Sequence, residues 1–121
     1  MTPTDRRRRR WFEGCARVAL AVAALSALGV VPGARAGDIR VVQKDKAFSE
    51  PSLRIRVGDT VTFVNADTVT HNVYSLTKGC EFELQTQLPG NSTAVPFSRA
   101  CMAQVQCAIH PKMKLTVDVA P

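Results

Sequence analysis

Residues 53–65 read Leu-Arg-Ile-Arg-Val-Gly-Asp-Thr-Val-Thr-Phe-Val-Asn, and this stretch decides the fold class. Apolar and polar residues alternate on both sides of Gly58-Asp59, which is typical of two half-buried β-strands separated by a tight turn. Val61 and Phe63 fall on one face of the second strand, because successive side chains of a strand point to opposite faces. The stretch therefore predicts a β-hairpin, and with it a domain built from short strands.

Further short alternating runs follow this stretch. They predict strands at 71–75, 82–84, 93–97, 102–107 and 114–119, with a loop at Pro89-Gly90-Asn91. In the last of these runs Leu115, Val117 and Val119 point one way, and the polar residues between them point the other way. No amphipathic pattern of helix length occurs after residue 36. The sequence therefore predicts an all-β sandwich of seven or eight strands.

The first third of the chain has a different character. Five arginines at 6–10 precede an apolar run of 14 residues at 18–31, and the small-residue tripeptide Ala34-Arg35-Ala36 follows. This is the layout of an export signal, for which we predict cleavage after Ala36. The apolar run is shorter than the roughly 20 residues that a membrane-spanning helix needs, so we expect no stable membrane insertion. Residues 9–12, Arg-Arg-Trp-Phe, also fit a twin-arginine signal, although an ordinary secretory signal explains them too.

Cleavage would remove most of the net positive charge and leave one domain over residues 37–121. Seven of the 16 basic residues and two of the 10 acidic residues lie in residues 1–36, so the domain keeps nine basic and eight acidic residues. No basic stripe interleaved with aromatic residues remains in this nearly neutral domain. We therefore expect no nucleic-acid partner.

Cysteines in the predicted domain are odd in number. Cys80, Cys101 and Cys107 remain, because Cys15 leaves with the export signal. Exported proteins tend to pair their thiols, and three thiols cannot all pair within one chain. One of the three therefore needs another role.

Residues 107–113, Cys-Ala-Ile-His-Pro-Lys-Met, place a thiolate, an imidazole and a thioether in the turn between two predicted strands. His71 is the only other histidine in the chain and can supply a second imidazole. Two imidazoles, a thiolate and a weak thioether form the donor set of trigonal blue-copper sites. Each residue alone has an ordinary structural explanation. Together, His71, Cys107, His110 and Met113 predict one type 1 copper site.

At this point the sequence resembles the cupredoxins, and among them amicyanin and its plastocyanin-like relatives. The matching segments are Glu50-Pro51-Ser52-Leu53, residues 57–65, His71-Asn72-Val73 and Cys107-x-x-His110-x-x-Met113. They extend over nearly all of the chain after residue 36, and the short spacing from His110 to Met113 points toward amicyanin. The resemblance implies a cupredoxin-like Greek-key β-sandwich with His71, Cys107, His110 and Met113 as the copper ligands.

The resemblance also implies a function. It implies a monomeric periplasmic electron carrier that cycles one copper ion between Cu(II) and Cu(I) and is not an enzyme. A quinoprotein amine dehydrogenase and a c-type cytochrome would be its redox partners. The edge of His110 would reach the surface beside a docking patch that includes Pro111. The side chain of Asn72 would tie the two ligand-bearing loops together, although a polar residue at a strand edge is the plainer interpretation.

Two positions depart from the family pattern. Amicyanin-like chains usually carry a glycine six residues before the copper-binding cysteine and an aromatic residue four before it, where this chain has Cys101 and Ala103. The missing aromatic residue leaves the packing beside the ligand strand in question. Cys101 and Cys80 together suggest a disulfide, which would leave Cys107 free for copper. Two separate buried thiols are the alternative.

Three rival functions remain open at this point. A copper-delivery protein without a redox role usually carries Met-rich or His-rich segments, whereas the predicted domain has only two methionines and two histidines. A disulfide-stapled sandwich that binds another protein without metal would leave the ligand cluster unexplained. An enzyme is the weakest alternative, because a site with four protein ligands keeps no open position for a substrate.

Overall fold

The computed structural model describes residues 36–121. The predicted export signal lies outside these residues except for Ala36, so its extent and its cleavage remain predictions. The described residues form strands and loops, and none of them builds a helix long and apolar enough to cross a membrane.

Nine strands make up the domain. They are β1 (Asp38–Lys44), β2 (Ala47–Phe48), β3 (Ser52–Arg56), β4 (Thr60–Asn65), β5 (Val73–Ser75), β6 (Phe82–Glu83), β7 (Ser92–Pro96), β8 (Cys101–Cys107) and β9 (Lys114–Ala120). The two strands without a sequence prediction are β1 and the two-residue β2. Each predicted strand is present within one or two residues of its expected bounds. Residues Pro89-Gly90-Asn91 lie in a loop before β7, as predicted.

The strands form two sheets packed as a sandwich. One sheet has the order β2-β1-β4-β7 and the other has the order β3-β9-β8-β5-β6. The pairs β1/β4 and β3/β9 are parallel, and the remaining neighbours are antiparallel. The predicted all-β cupredoxin-like sandwich is therefore confirmed, but it has nine strands in place of the seven or eight that the sequence predicts, because β1 and the two-residue β2 have no sequence prediction.

Alternating side chains fill the space between the sheets. Leu115, Val117 and Val119 of β9 are at most 2% exposed, and Val61 and Phe63 of β4 are fully buried. Burying one such large apolar side chain stabilises the fold by about 1.5–3 kcal/mol relative to leaving it in water. The inward and outward faces of these strands are those that the alternation predicts.

The predicted hairpin over residues 53–65 is wrong. Strands β3 and β4 are consecutive in the chain, but they belong to different sheets, and β3 pairs with β9 while β4 pairs with β1 and β7. The turn between them crosses from one sheet to the other, and Gly58 takes a φ of 98°, which favours glycine. The alternating pattern predicts which face of each strand is buried. The same pattern fits a hairpin within one sheet and a turn that crosses from one sheet to the other, so it does not distinguish them.

Two of the three cysteines form a disulfide. Cys80 and Cys101 are bonded, with their Cα atoms 6.5 Å apart. Cys107 is the free cysteine of the domain, and it is buried. Ala103, which takes the place of the expected aromatic residue, is fully buried in the core cluster.

Candidate metal centre

The two sheets bring His71, Cys107 and His110 to one end of the sandwich. His71 lies where the chain crosses from β4 to β5, and Cys107 is the last residue of β8. Because β5 pairs with β8 so that Val73 lies opposite Cys107, the residues just before Val73 are adjacent to the thiol. His110 lies in the short turn from β8 to β9 and returns to the same place.

The donor atoms of these three residues face one another. The Nδ1 atom of His71 lies 3.7 Å from the Cys107 Sγ atom, and the Nδ1 atom of His110 lies 3.8 Å from it. The two Nδ1 atoms are 3.1 Å apart. All three donor atoms lie within 4.8 Å of one another, and His71 and Cys107 are buried. This is a compact cluster of two imidazole nitrogens and one sulfur.

These distances fit a metal ion with trigonal coordination. Metal bonds of about 2.0–2.1 Å to nitrogen and about 2.3 Å to sulfur, spread by about 120°, separate nitrogen from sulfur by about 3.7–3.8 Å. Both nitrogen–sulfur distances agree with that value. The nitrogen–nitrogen distance of 3.1 Å is shorter than the roughly 3.5 Å of the same arrangement, so the two rings need to separate slightly. A thiolate with two imidazoles is the donor chemistry that suits copper.

Met113 lies inside the domain at the end of the ligand turn. It is 1% exposed, and its main-chain N–H donates to the His110 carbonyl oxygen over 2.9 Å. This hydrogen bond closes the turn that contains His110 and fixes the entry into β9. The main chain of Met113 is therefore held three residues after His110, whereas the cluster that the structure brings together consists of His71, Cys107 and His110.

Asn72 connects the two ligand-bearing segments through its main chain and not, as expected, through its side chain. Its N–H donates to the Cys107 Sγ atom over 3.4 Å, and its carbonyl oxygen accepts the Ala108 N–H over 2.9 Å. The side-chain amide points to Glu83 instead, at 3.5 Å. These main-chain contacts lie just beyond the antiparallel pairing of β5 with β8, which brings the two main chains together at this point.

Asp67 orients the His71 ring, and the sequence interpretation did not identify it. Its Oδ2 atom lies 3.1 Å from the His71 Nε2 atom and also accepts the Lys46 N–H over 2.8 Å. The hydrogen bond from Lys46 lowers the pKa of the Asp67 carboxyl, which also accepts the N–H of Thr68, so the group is ionised at neutral pH. A carboxylate on one ring nitrogen directs the other nitrogen toward the metal position.

His110 is the partly exposed member of the cluster. Desolvation lowers the pKa of its imidazole, and the neighbouring His71 lowers the pKa further. The ring is therefore neutral near pH 7, which is the protonation state that binds a metal. Ile109 is 49% exposed beside it, and Pro111 and Lys112 are exposed as well.

Residues 36–120 match the family described as copper binding proteins, plastocyanin/azurin family. The chain belongs to this family of copper-binding proteins. The resemblance to the cupredoxins is thereby confirmed, and copper is the cofactor that the His71, Cys107 and His110 cluster is positioned to hold. Membership in this cupredoxin family implies copper-based electron transfer.

Individual relatives agree with the family assignment. The chain is 33% identical to the methylamine utilization protein MauL of Methylorubrum extorquens over 88 residues, which cover 72% of this chain and 77% of MauL. It is 34% identical to amicyanin-alpha of the same organism over 104 residues, which cover 84% of this chain and 87% of amicyanin-alpha. A reduced amicyanin mutant superimposes with a TM-score of 0.64 and 27% identity, covering 69% of this cupredoxin and 82% of the amicyanin.

Proposed function

We propose that this cupredoxin is a monomeric periplasmic electron carrier in which His71, Cys107, His110 and Met113 hold one type 1 copper ion. The observation that carries the proposal is the convergence of two imidazole nitrogens on the Cys107 sulfur at 3.7 and 3.8 Å. The buried position of Met113 on the adjoining turn supports the proposal that its thioether would be the fourth, weakly bound ligand.

The protein's contribution to electron transfer is rigidity at the donor atoms. Copper, when bound, supplies a one-electron couple between Cu(II) and Cu(I). The His71 ring is held by Asp67, and the Cys107 sulfur accepts the Asn72 N–H, so neither donor can turn freely. Donor atoms that stay in place when an electron is gained or lost keep the structural rearrangement of the site small. The N–H at the sulfur also stabilises the negative charge of the thiolate.

Electrons are proposed to enter and leave through the exposed edge of His110. The apolar side chains of Ile109 and Pro111 border this ring, and Ile109 is 49% exposed. Lys46 and Lys112 line the same shallow depression on the surface. A small apolar contact of this kind suits weak, transient redox encounters, in which fast release matters more than affinity.

A quinoprotein amine dehydrogenase is the proposed electron donor, and a c-type cytochrome is the proposed acceptor. The support is the similarity to the methylamine utilization protein MauL and to amicyanin-alpha. The test is to mix the reduced protein with an oxidised c-type cytochrome and to record both cytochrome reduction and the copper that stays with the protein. We expect rapid reduction with full copper retention.

Copper loss to an acceptor protein without electron exchange would instead support the alternative, a copper-delivery protein. Burial of His71 and Cys107, each at most 2% exposed, argues against delivery, because an acceptor protein could approach the ion past the partly exposed His110 but not past the other two ligands. The copper site itself is tested by adding Cu(II) to the purified domain. An intense visible band from the copper–thiolate bond is expected, and a colourless protein would contradict the proposed site.

Export with cleavage after Ala36 completes the proposal. The Gly37 nitrogen lies 2.7 Å from the Asp59 Oδ1 atom, so the new amino terminus would form an ion pair with this carboxylate. Sequencing the amino terminus of the protein recovered from the periplasm should give Gly37 as the first residue. A mature chain that begins several residues away, or that keeps residues 1–36, would contradict the predicted cleavage.

A further inference from the structure

Three buried amide side chains lie close to the His71 side of the metal centre. Gln43 and Asn65 are fully buried, and Gln87 is 1% exposed. Burying an amide costs free energy unless its polar atoms find hydrogen-bond partners. The hydrogen bonds of these residues therefore indicate which part of the structure the buried amides stabilise.

Gln87 is bonded to the main chain of His71 in both directions. The His71 N–H donates to the Gln87 carbonyl oxygen over 3.0 Å, and the Gln87 N–H donates to the His71 carbonyl oxygen over 2.8 Å. This pair is an isolated antiparallel bridge outside the named strands. Because β5 begins only at Val73, these two hydrogen bonds hold His71 independently of the strand pairing that follows.

The side chain of Gln87 anchors this bridge to three strands of the first sheet. Its Nε2 atom donates to the Phe63 carbonyl oxygen on β4 over 3.3 Å and to the Thr93 Oγ1 atom on β7 over 3.0 Å. Its Oε1 atom accepts the Nε2–H of Gln43 on β1 over 2.7 Å. The donor to Phe63 has to be a nitrogen, so the orientation of the amide is fixed.

Gln43 and Asn65 complete the support. The Oε1 atom of Gln43 has no hydrogen-bond partner among residues 36–121, and burying it in this way costs free energy. The hydrogen bond that the Gln43 side chain does make is the one to Gln87. The Nδ2 atom of Asn65 donates to the Gln87 carbonyl oxygen over 2.9 Å, and its Oδ1 atom accepts the Asp67 N–H over 2.9 Å. One network thus holds both the main chain and the ring partner of His71.

Cys107 is fixed in a different way. It ends β8 in the second sheet, and His110 follows it in the turn to β9. The distance from His71 to Cys107 and His110 therefore depends on how the His71 segment is held against the first sheet. The hydrogen bonds of Gln87 hold it there.

We propose that Gln87 is a positioning residue for the metal centre, because its side-chain amide sets the distance between the His71 Nδ1 atom and the Cys107 Sγ atom. The inference rests on the proposed role of His71 as a copper ligand. It extends that role to a residue 16 positions further along the chain that touches no donor atom.

The test compares Gln87→Met with Gln104→Met in the copper-loaded domain. Methionine keeps the length of glutamine but cannot make the three side-chain amide hydrogen bonds, whereas Gln104 is exposed on β8 and serves as the matched control. We expect Gln87→Met to lower the affinity for copper by about 10–100-fold, as is typical for partners of metal ligands, and to shift the copper–thiolate absorption band. Gln104→Met should change neither property. If Gln87→Met lowers stability but leaves affinity and spectrum at the values of the unaltered protein, Gln87 is structural only and the proposal is overturned.

Two further measurements keep the test decisive. If Gln87→Met does not fold, Thr93→Val removes a single partner of the amide and should lower copper affinity in the same direction by a smaller factor. In the metal-free domain, the His71 amide hydrogen should exchange faster with solvent in Gln87→Met than in the control, because its acceptor is less firmly held. Unchanged exchange overturns the positioning role, whereas failure of the unaltered protein to form a copper–thiolate band would contradict only the proposed copper ligands.

Discussion

Replacing both Cys80 and Cys101 by alanine removes the disulfide and tests what it contributes to the fold. The bond spans 21 positions of the chain, so in the chain-entropy account it stabilises the folded domain by about 3.3 kcal/mol at 25 °C. A domain of this size shifts its melting temperature by about 4–8 °C per kcal/mol, so the expected fall is on the order of 15–25 °C. Cys80 is also 7% exposed within the core cluster, and the lost sulfur contact adds to the effect.

The assay is urea unfolding of the metal-free double variant beside the unaltered domain, with both single variants as controls. Since either single replacement already breaks the bond, each should lose most of the stability that the double variant loses. The copper–thiolate band of the loaded double variant should be unchanged, because Cys101 begins β8 and Cys107 ends it. A stability loss below about 1 kcal/mol would refute the chain-entropy reasoning. A shifted band would show that the two ends of β8 are coupled.

Three single substitutions probe the site and the corner between the sheets. Cys107→Ser should abolish the copper–thiolate band while the far-ultraviolet circular dichroism stays that of a β-sandwich, and a variant that remains coloured contradicts the ligand assignment. Met113→Leu should keep the band but raise the reduction potential, since losing a weak donor disfavours Cu(II), and an unchanged potential would place Met113 away from the metal. Asp59→Asn should lower the free energy of unfolding at neutral pH, because the Arg56 and Gly37 N–H groups hold the pKa of the Asp59 carboxyl below its usual value. A carboxyl whose pKa is lowered in the folded state stabilises the fold above its ordinary pKa of about 3.9, and this stabilisation is lost as the pH falls through the pKa of the folded state. Urea unfolding at several pH values should therefore show that the free energies of unfolding of the variant and the unaltered protein converge in acid.

Side-chain alternation predicts the strands of this domain better than it predicts their partners. The inward faces of β4 and β9 follow from a period of two, because that period depends only on the local backbone. The pairing of β3 with β9 joins Leu53 to Val117, and nothing in either segment specifies such a distant neighbour. For the same reason the crossing at Gly58 and a hairpin share one sequence pattern.

The cluster of His71, Cys107 and His110 could be predicted from the sequence, and the residues that hold the His71 segment could not. Cysteine, histidine and methionine are rare in this chain, so their spacing stands out. Asp67 and Gln87 belong to common residue types in segments that resemble ordinary loops. Their importance comes from burial and from hydrogen bonds across the two sheets, which exist only once the sandwich is assembled. An acidic residue four positions before the first histidine was the only available hint, and such residues are frequent in surface loops.

Strand β8 acts as a spacer between two thiols that must not react with each other. At about 3.3 Å per residue, its seven residues place Cys101 and Cys107 about 20 Å apart, whereas a disulfide requires Cα atoms within about 7 Å. Once β8 forms, the mispaired bond is geometrically impossible, and burial of Cys107 limits its access to external oxidants. Incorrect pairing of Cys101 with Cys107 is therefore a hazard of the unfolded chain alone. A chain that folds before it meets an oxidising compartment arrives there with the correct thiol still reduced and available to copper.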